Sequence, residues 1–316
     1  MKIIVSGCAG FIGSHTSRKL LDDPNNIVIG IDNMNNYYNV KQKEENLKNL
    51  QKYDNFIFVK EDIVNTKIIE IYKPDKVCHL AACAGVRNSI ENPCLYSRVN
   101  IEGFINLLDQ ACKANVNTFV YASSSSVYGL EDKVPFKEEL KIDKCNSPYA
   151  VTKRCKELFA DMYHRLYSHT SVIGLRFFTV YGPYGRPDMA PYKFLHSIIN
   201  NKEIEQFGNG TSQRDYTYIG DIVEGVVAAL ENKKEIQCEV INLGNSKPIT
   251  LKKFINTCEK VSNQKANIKV IENQKGDVPI TFADTEKAKR LLDYNPNTDI
   301  EIGLRKTFDW LKQVEM

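Results

Sequence analysis

The sequence predicts an α/β fold: a doubly wound parallel sheet with a smaller, mixed α/β lobe after it. Short β-rich runs alternate with helical stretches through the first half of the chain. A glycine-spaced turn follows the first of those runs. Near residue 177 the alternation becomes less regular, and Pro and Gly concentrate in 182–191. Residues 2–6 (KIIVS) form the first apolar run, with a helix expected through Leu21. Residues 27–31 (IVIGI) read as a second strand ending at Asp32, and 56–60 (FIFVK), 76–80 (KVCHL) and 118–122 (TFVYA) as further strands. Residues 33–53, rich in Asn, Tyr and Lys, read as a loop and a solvated helix. Residues 100–114 carry helical period.

Composition narrows the class. The 316 residues permit one large domain or two ordinary ones. With 42 basic and 39 acidic residues the formal charge is +3, too even for an electrostatic nucleic-acid binder. Mean hydropathy is −0.36 and no apolar run is long enough to span a membrane, so no membrane partner is expected. The first seven residues lead straight into a strand and a glycine turn, without the pattern of a secretory signal. Nine cysteines are scattered without a CxxC pair, which argues against zinc-ribbon and thioredoxin-like readings. They read mostly as small buried hydrophobes in a reducing, cytoplasmic setting, and no metal is expected.

The glycine turn points to a nucleotide. Gly7, Gly10 and Gly13 follow the first strand and open the first helix, with Phe11 and Ile12 between the last two. A diphosphate must approach backbone amides at that helix start, and only residues without a bulky Cβ allow it. The spacing is GxxGxxG, one residue wider than the commoner GxGxxG. Asp32 follows Gly13 by about twenty residues, where a carboxylate can accept both adenosine ribose hydroxyls and oppose a 2′-phosphate. NAD is therefore preferred to NADP. Asp62 and Ile63, after the third strand, are weaker candidates for the adenine edge. Residues 1–176 are expected to form this Rossmann-like domain, completed by segments from about 215–245, with 177–316 as the second.

Chemistry is expected at the start of a later helix. Ser147 reads as its N-cap and Pro148 as its first residue, which puts Tyr149 and Lys153 one turn apart on one face. A free tyrosine, with a pKa of about 10, is a poor base at neutral pH. A nearby ammonium and a positive nicotinamide ring would favour its phenolate. Ser124, Ser125 and Ser126 leave a strand at the carboxyl edge of the sheet, where open α/β sheets bind ligands. Either motif alone has a bland reading, a solvated helix face or a turn. Together with the glycine turn they make a redox site.

These motifs resemble the extended short-chain dehydrogenase/reductase superfamily, in its nucleotide-sugar epimerase branch. The resemblance spans nearly the whole chain, from GxxGxxG through His79-Leu80-Ala81-Ala82, Asn100, YxxxK and Arg176–Pro183 to Arg214–Ile219 and Gly276-Asp277. It implies that Ser124 bonds the sugar hydroxyl, Tyr149 is the base and Lys153 holds the nicotinamide ribose. It adds Asn33, Leu80, Ala81, Ala82 and Asn100 to the cofactor contacts, and Arg87, Thr179, Arg214 and Asp277 to those of a UDP-sugar. Ala84–Arg87 with Ser89, the block 33–38 and Gly185–Ala190 are most like UDP-glucuronate 4-epimerases. Arg186 is then the residue to read a sugar carboxylate, since a guanidinium fork matches that group. Dehydratases of the superfamily carry an Asp-Glu pair before this Val-Tyr, and decarboxylases a Glu; Ser125-Ser126 has no acid. The resemblance also implies a homodimer built on the helices around 100–114 and 148–167. Three alternatives remain: a 4-epimerase of UDP-glucose or UDP-N-acetylglucosamine, a 4,6-dehydratase or decarboxylase, and a non-catalytic dinucleotide sensor.

Overall fold

In β1 (Lys2–Ser6), Ile3 and Val5 point to one side and Ile4 to the other, and all three are buried. Burial on both sides is the mark of a parallel strand sandwiched between helices. The computed structural model describes residues 1–272 and 279–315. After β1 come β2 (Ile27–Ile31), β3 (Phe56–Val59), β4 (Lys76–His79), β5 (Thr118–Ser124) and β6 (Ser171–Phe177). Then follow β7 (Thr179–Tyr181), β8 (Glu203–Phe207), β9 (Gln213–Arg214), β10 (Tyr216–Tyr218), β11 (Cys238–Leu243), β12 (Ile249–Thr250), β13 (Asn267–Ile271) and β14 (Ile280–Thr281).

The helices in the first half are α1 (Phe11–Leu21), α2 (Val40–Leu50), α3 (Ile68–Tyr72), α4 (Val86–Glu91), α5 (Pro93–Ser97), α6 (Gly103–Lys113) and α7 (Pro148–Leu166). Those in the second are α8 (Ala190–Ile199), α9 (Ile219–Glu231), α10 (Leu251–Ser262), α11 (Glu286–Leu292) and α12 (Ile300–Glu315).

Seven strands form one sheet in the order β11-β6-β5-β4-β1-β2-β3. Every pairing in it is parallel, with Ile4 opposite Ile29 on one side and Val77 on the other. Helices α1, α9 and α11 cover one face, where Leu20, Ile222 and Leu292 join a core with Ile3 and Val5. Helices α3, α6 and α7 cover the other, where Ile69, Phe104, Leu108 and Ala160 pack on Ile4 and Phe119. The winding reverses between β1 and β4, which opens a crevice at their carboxyl ends. This is the doubly wound, Rossmann-like sheet expected from the sequence.

The second lobe is mixed, as expected. β7 pairs with β10, β8 with β13, and β9 with both β12 and β14. Helices α8, α10 and α12 enclose a core around Leu195, Tyr216, Phe254 and Leu311. From within this half of the chain, α9 packs on the large sheet and β11 pairs with β6, Ile241 opposite Leu175.

Two local readings are corrected. The expected solvated helix is α2, but its Lys43, Asn46 and Leu50 are buried. The Asn46 amide donates to the Ala9 carbonyl at 2.9 Å, which docks α2 against the glycine turn. The strand expected to stop at 122 runs on to Ser124.

Candidate active site

The crevice is a cleft of about 390 Å³. At its nucleotide end Gly7 has φ +73°, and a Cβ there would sit 2.9 Å from Ala81 Cα. A Cβ on Gly13 would lie 1.9 Å from the Gly7 carbonyl oxygen. Helix α1 therefore starts flush against the turn. Gly10 caps it without a side chain, and the first amides of α1 have no acceptor inside the helix. Phe11, Ile12 and Gly13 line the cleft at that positive end.

Asp32 closes the far corner, 7% exposed. Its carboxylate accepts from the Met34 amide at 2.8 Å and the Ala9 amide at 3.3 Å, with Lys43 Nζ at 3.8 Å. Burial lowers the pKa of Lys43, and Asp32 opposes that shift. Asn33, Ile63, Leu80, Ala81 and Ala82 complete this wall.

At the other end Ser147 caps α7, accepting from the Ala150 amide at 3.2 Å, with Pro148 in the first turn. Tyr149 and Lys153 face the cleft from one side of the helix. Lys153 is 2% exposed; Nζ donates to the Ala122 carbonyl at 2.9 Å and lies 5.5 Å from the Tyr149 ring centre. Burial pushes its pKa down, Tyr149 pulls it up, and Arg186 pushes it further down. Ser124 and Ser126 share a hydrogen bond of 3.1 Å at the end of β5, and Ser125 lines the cleft beside them. Thr179 and Arg186 reach the cleft from the second lobe.

Beneath the serines lies a buried ion pair. Glu157, two turns along α7 from Tyr149, accepts from Arg176 at 2.8 and 2.9 Å and from Ser123 at 2.6 Å. Arg176 also donates to the Tyr128 hydroxyl at 2.9 Å. Burial alone would raise the Glu157 pKa, but Arg176, Ser123 and Arg154 outweigh it and hold it low.

Not every expected residue arrives. Asp62 does not line the cleft, because its carboxylate accepts from Val64 and from Asn33, which it orients. Asn100 is also behind the wall. Its amide holds both backbone groups of Cys83, at 2.8 and 2.9 Å, and donates to Thr152 at 3.1 Å, so it shapes the β4 loop. Arg87 is exposed on α4, its guanidinium 5.7 Å from the Phe207 ring centre. Arg214 Nη1 donates to the Gln213 carbonyl at 2.9 Å, and Arg214 is not among the residues lining the cleft. Asp277 lies outside the described residues.

Other residues enter unannounced. Lys43 had a signal, since Lys43, Asn46 and Leu50 share one helical face. Tyr96 is fully buried, packs edge-on to Tyr149 with ring centres 6.3 Å apart, and donates to the Ala84 carbonyl at 2.6 Å. Among the described residues no group of three or more His, Cys, Asp or Glu side chains is placed to hold a metal.

The family model described as GDP-mannose 4,6 dehydratase matches residues 4–307. The chain belongs to that family. Within it, the chain falls in the nucleotide-sugar epimerase branch of the extended short-chain dehydrogenases. It is 48% identical to an uncharacterised protein of Methanocaldococcus jannaschii, over 98% of this chain and 95% of that one. It is 43% identical to a UDP-glucuronate 4-epimerase of Thermodesulfobacterium geofontis, over 98% and 96%. The solved UDP-glucuronic acid 4-epimerase of Bacillus cereus, in complex with UDP-glucuronic acid and NAD, superposes with a TM-score of 0.94. It is 38% identical to this chain, covering 99% of it and all of that structure.

Proposed function

We propose that this protein is an NAD-dependent 4-epimerase interconverting UDP-glucuronate and UDP-galacturonate. The observation that carries the reading is the entry of Arg186 into the same cleft as Tyr149, Lys153 and Ser124–Ser126. A guanidinium beside the base suits a sugar bearing a carboxylate. Ser125 and Ser126 offer no acid to expel a C6 hydroxyl, which weighs against the dehydratase chemistry in the family's name.

The nucleotide end fits NAD. Its glycines leave a cradle that a Cβ would fill, and the start of α1 faces it with uncommitted amides. Asp32 would take the adenosine ribose, Asn33 and Ile63 the adenine side, and Leu80–Ala82 the opposite wall. When bound, NAD⁺ would supply the acceptor for the C4 hydride, and the NADH so formed would be the donor for its return to the other face of the sugar. Tyr149 takes the 4-hydroxyl proton as the hydride leaves, so a neutral ketone results. Lys153 holds the nicotinamide ribose from the same face of α7 as Tyr149. Ser124 hydrogen-bonds the reacting hydroxyl, and Thr179 with Arg186 holds the C6 carboxylate. The 4-keto sugar then turns, and Tyr149 gives the proton back to the opposite epimer. A 4-keto uronate is a β-keto acid that loses CO₂ readily, so the grip on its carboxylate also protects the intermediate.

We place the nucleotide chemistry in residues 1–176 with the segment around 215–245, and sugar binding mainly in 177–316. Exposed Leu95, Val151 and Leu158 on α5 and α7 support a homodimer joined through these helices. Nine free cysteines support a reducing, cytoplasmic location. No described helix is long and apolar enough to cross a membrane.

The test is to incubate the protein with UDP-glucuronate, UDP-glucose and UDP-N-acetylglucosamine and follow the sugar anomeric signals by NMR. UDP-galacturonate is the expected product, without net NADH or CO₂. A neutral 4-epimer alone, or a decarboxylated sugar, would replace the reading.

A further inference from the structure

Arg186 already holds a carboxylate. Its Nε donates to Asp188 Oδ1 at 3.0 Å and its Nη2 to Oδ2 at 2.5 Å, a side-on fork between residues two apart. Nη2 also lies 3.4 Å from the Tyr37 hydroxyl, and the Tyr37 ring centre is 5.5 Å from the guanidinium carbon. The two partners differ in surroundings. The Arg186 side chain is 19% exposed and faces the cleft, whereas that of Asp188 is 40% exposed. Asp188 can leave into water at little cost, but a guanidinium left alone in the cleft loses its compensation.

Epimerisation makes that asymmetry useful. The 4-keto sugar must turn before hydride returns, so a carboxylate on C6 must leave Arg186 partway through each cycle. Resting on the function proposed above, we infer that Asp188 is the exchange partner of the substrate carboxylate at Arg186. It moves out as the sugar binds and pairs the guanidinium again while the ring turns. Asp188 is thus a positioning residue that weakens the grip on the ground state and frees the intermediate to move. Exchange also explains how one arginine can select a carboxylate without trapping it. Simple anions compete poorly, because Asp188 is tethered beside the fork and always present.

The experiment compares Asp188→Asn with the wild-type holoenzyme on UDP-glucuronate, measuring KM, kcat and CO₂ released per epimer formed. Asn keeps the shape and can still accept from Nε, but it cannot neutralise Arg186. KM and kcat are both expected to fall about fivefold, the scale of one partly exposed ion pair. The CO₂ fraction is expected to fall, because the carboxylate stays under the Arg186 guanidinium for more of the intermediate's life. Asp188→Glu, which restores the charge, is expected to bring all three values back towards wild type. An unchanged or raised KM, or a kcat that does not fall with it, overturns the exchange while leaving the epimerase reading intact. Wild-type protein that fails to epimerise UDP-glucuronate overturns both.

Discussion

The two ends of the cleft are built from different material. At the nucleotide end the phosphate cradle depends on backbone, a left-handed glycine turn and a helix start, beside the ends of β1, β2 and β4. At the sugar end the walls are side chains: serines from β5, Tyr149 and Lys153 from α7, and Thr179 and Arg186 from the second lobe. A backbone wall fails when an atom is added, since it depends on space. A side-chain wall fails when a charge or hydroxyl is removed, since it depends on one group in one place.

The comparison breaks most sharply at Tyr149. Replacing it by Phe removes the base and is expected to cut kcat by about 10²–10⁴-fold, with UDP binding retained by calorimetry. Near-normal turnover would take the proton transfer away from Tyr149. Under the sugar end, Glu157→Gln leaves Arg176 buried without its anion, and unfolding in urea is expected to show a loss of about 3–5 kcal/mol. A smaller loss would mean the ion pair supports the serine strand less than its burial suggests. Arg186→Lys keeps a charge but loses the fork, and kcat/KM for UDP-glucuronate is expected to drop about 10–100-fold.

The nucleotide end calls for the opposite kind of change. Gly13→Ala adds one carbon against the Gly7 carbonyl and is expected to cost about 1–3 kcal/mol. NAD should be lost on gel filtration, while a wild-type NAD content would show that the turn can give way. Acid titration sharpens the contrast with the least effect. The folded-state pKa of Glu157 lies below its ordinary value, so its stabilisation is present at neutral pH. That contribution is lost as pH falls through the folded value. Urea midpoints of wild type should therefore fall in acid more steeply than those of Glu157→Gln.

The same contrast governs what could be read from the chain alone. β1 and β2 occupy the expected residues, and Ser147 caps α7 as expected, because each depends on neighbours a few positions away. The glycine turn is legible for the same reason: every part of it lies between residues 6 and 13. The helical face of Lys43 is legible but its partner Asp32 is not, and the place of Tyr96 comes only from a contact distant in sequence, with Tyr149. Asn100 shows the limit of a motif. The residue has a place near the site, yet its amide is spent on Cys83 and Thr152, and no spacing rule reports that. Lys156 is a similar case, fully buried with Nζ 3.2 Å from His79 Nε2, where helical period alone suggests nothing unusual.

The pairing of β11 with β6 bears on how the molecule is made. β6 is buried along six of its seven residues, and one of its hydrogen-bonding edges is covered only by β11. Until the ribosome has released Cys238–Leu243, that apolar edge is open to any other strand. A nascent chain halted near residue 200 would therefore be a substrate for chaperones, and a gene fragment ending there would be expected to yield inclusion bodies rather than a small NAD-binding protein.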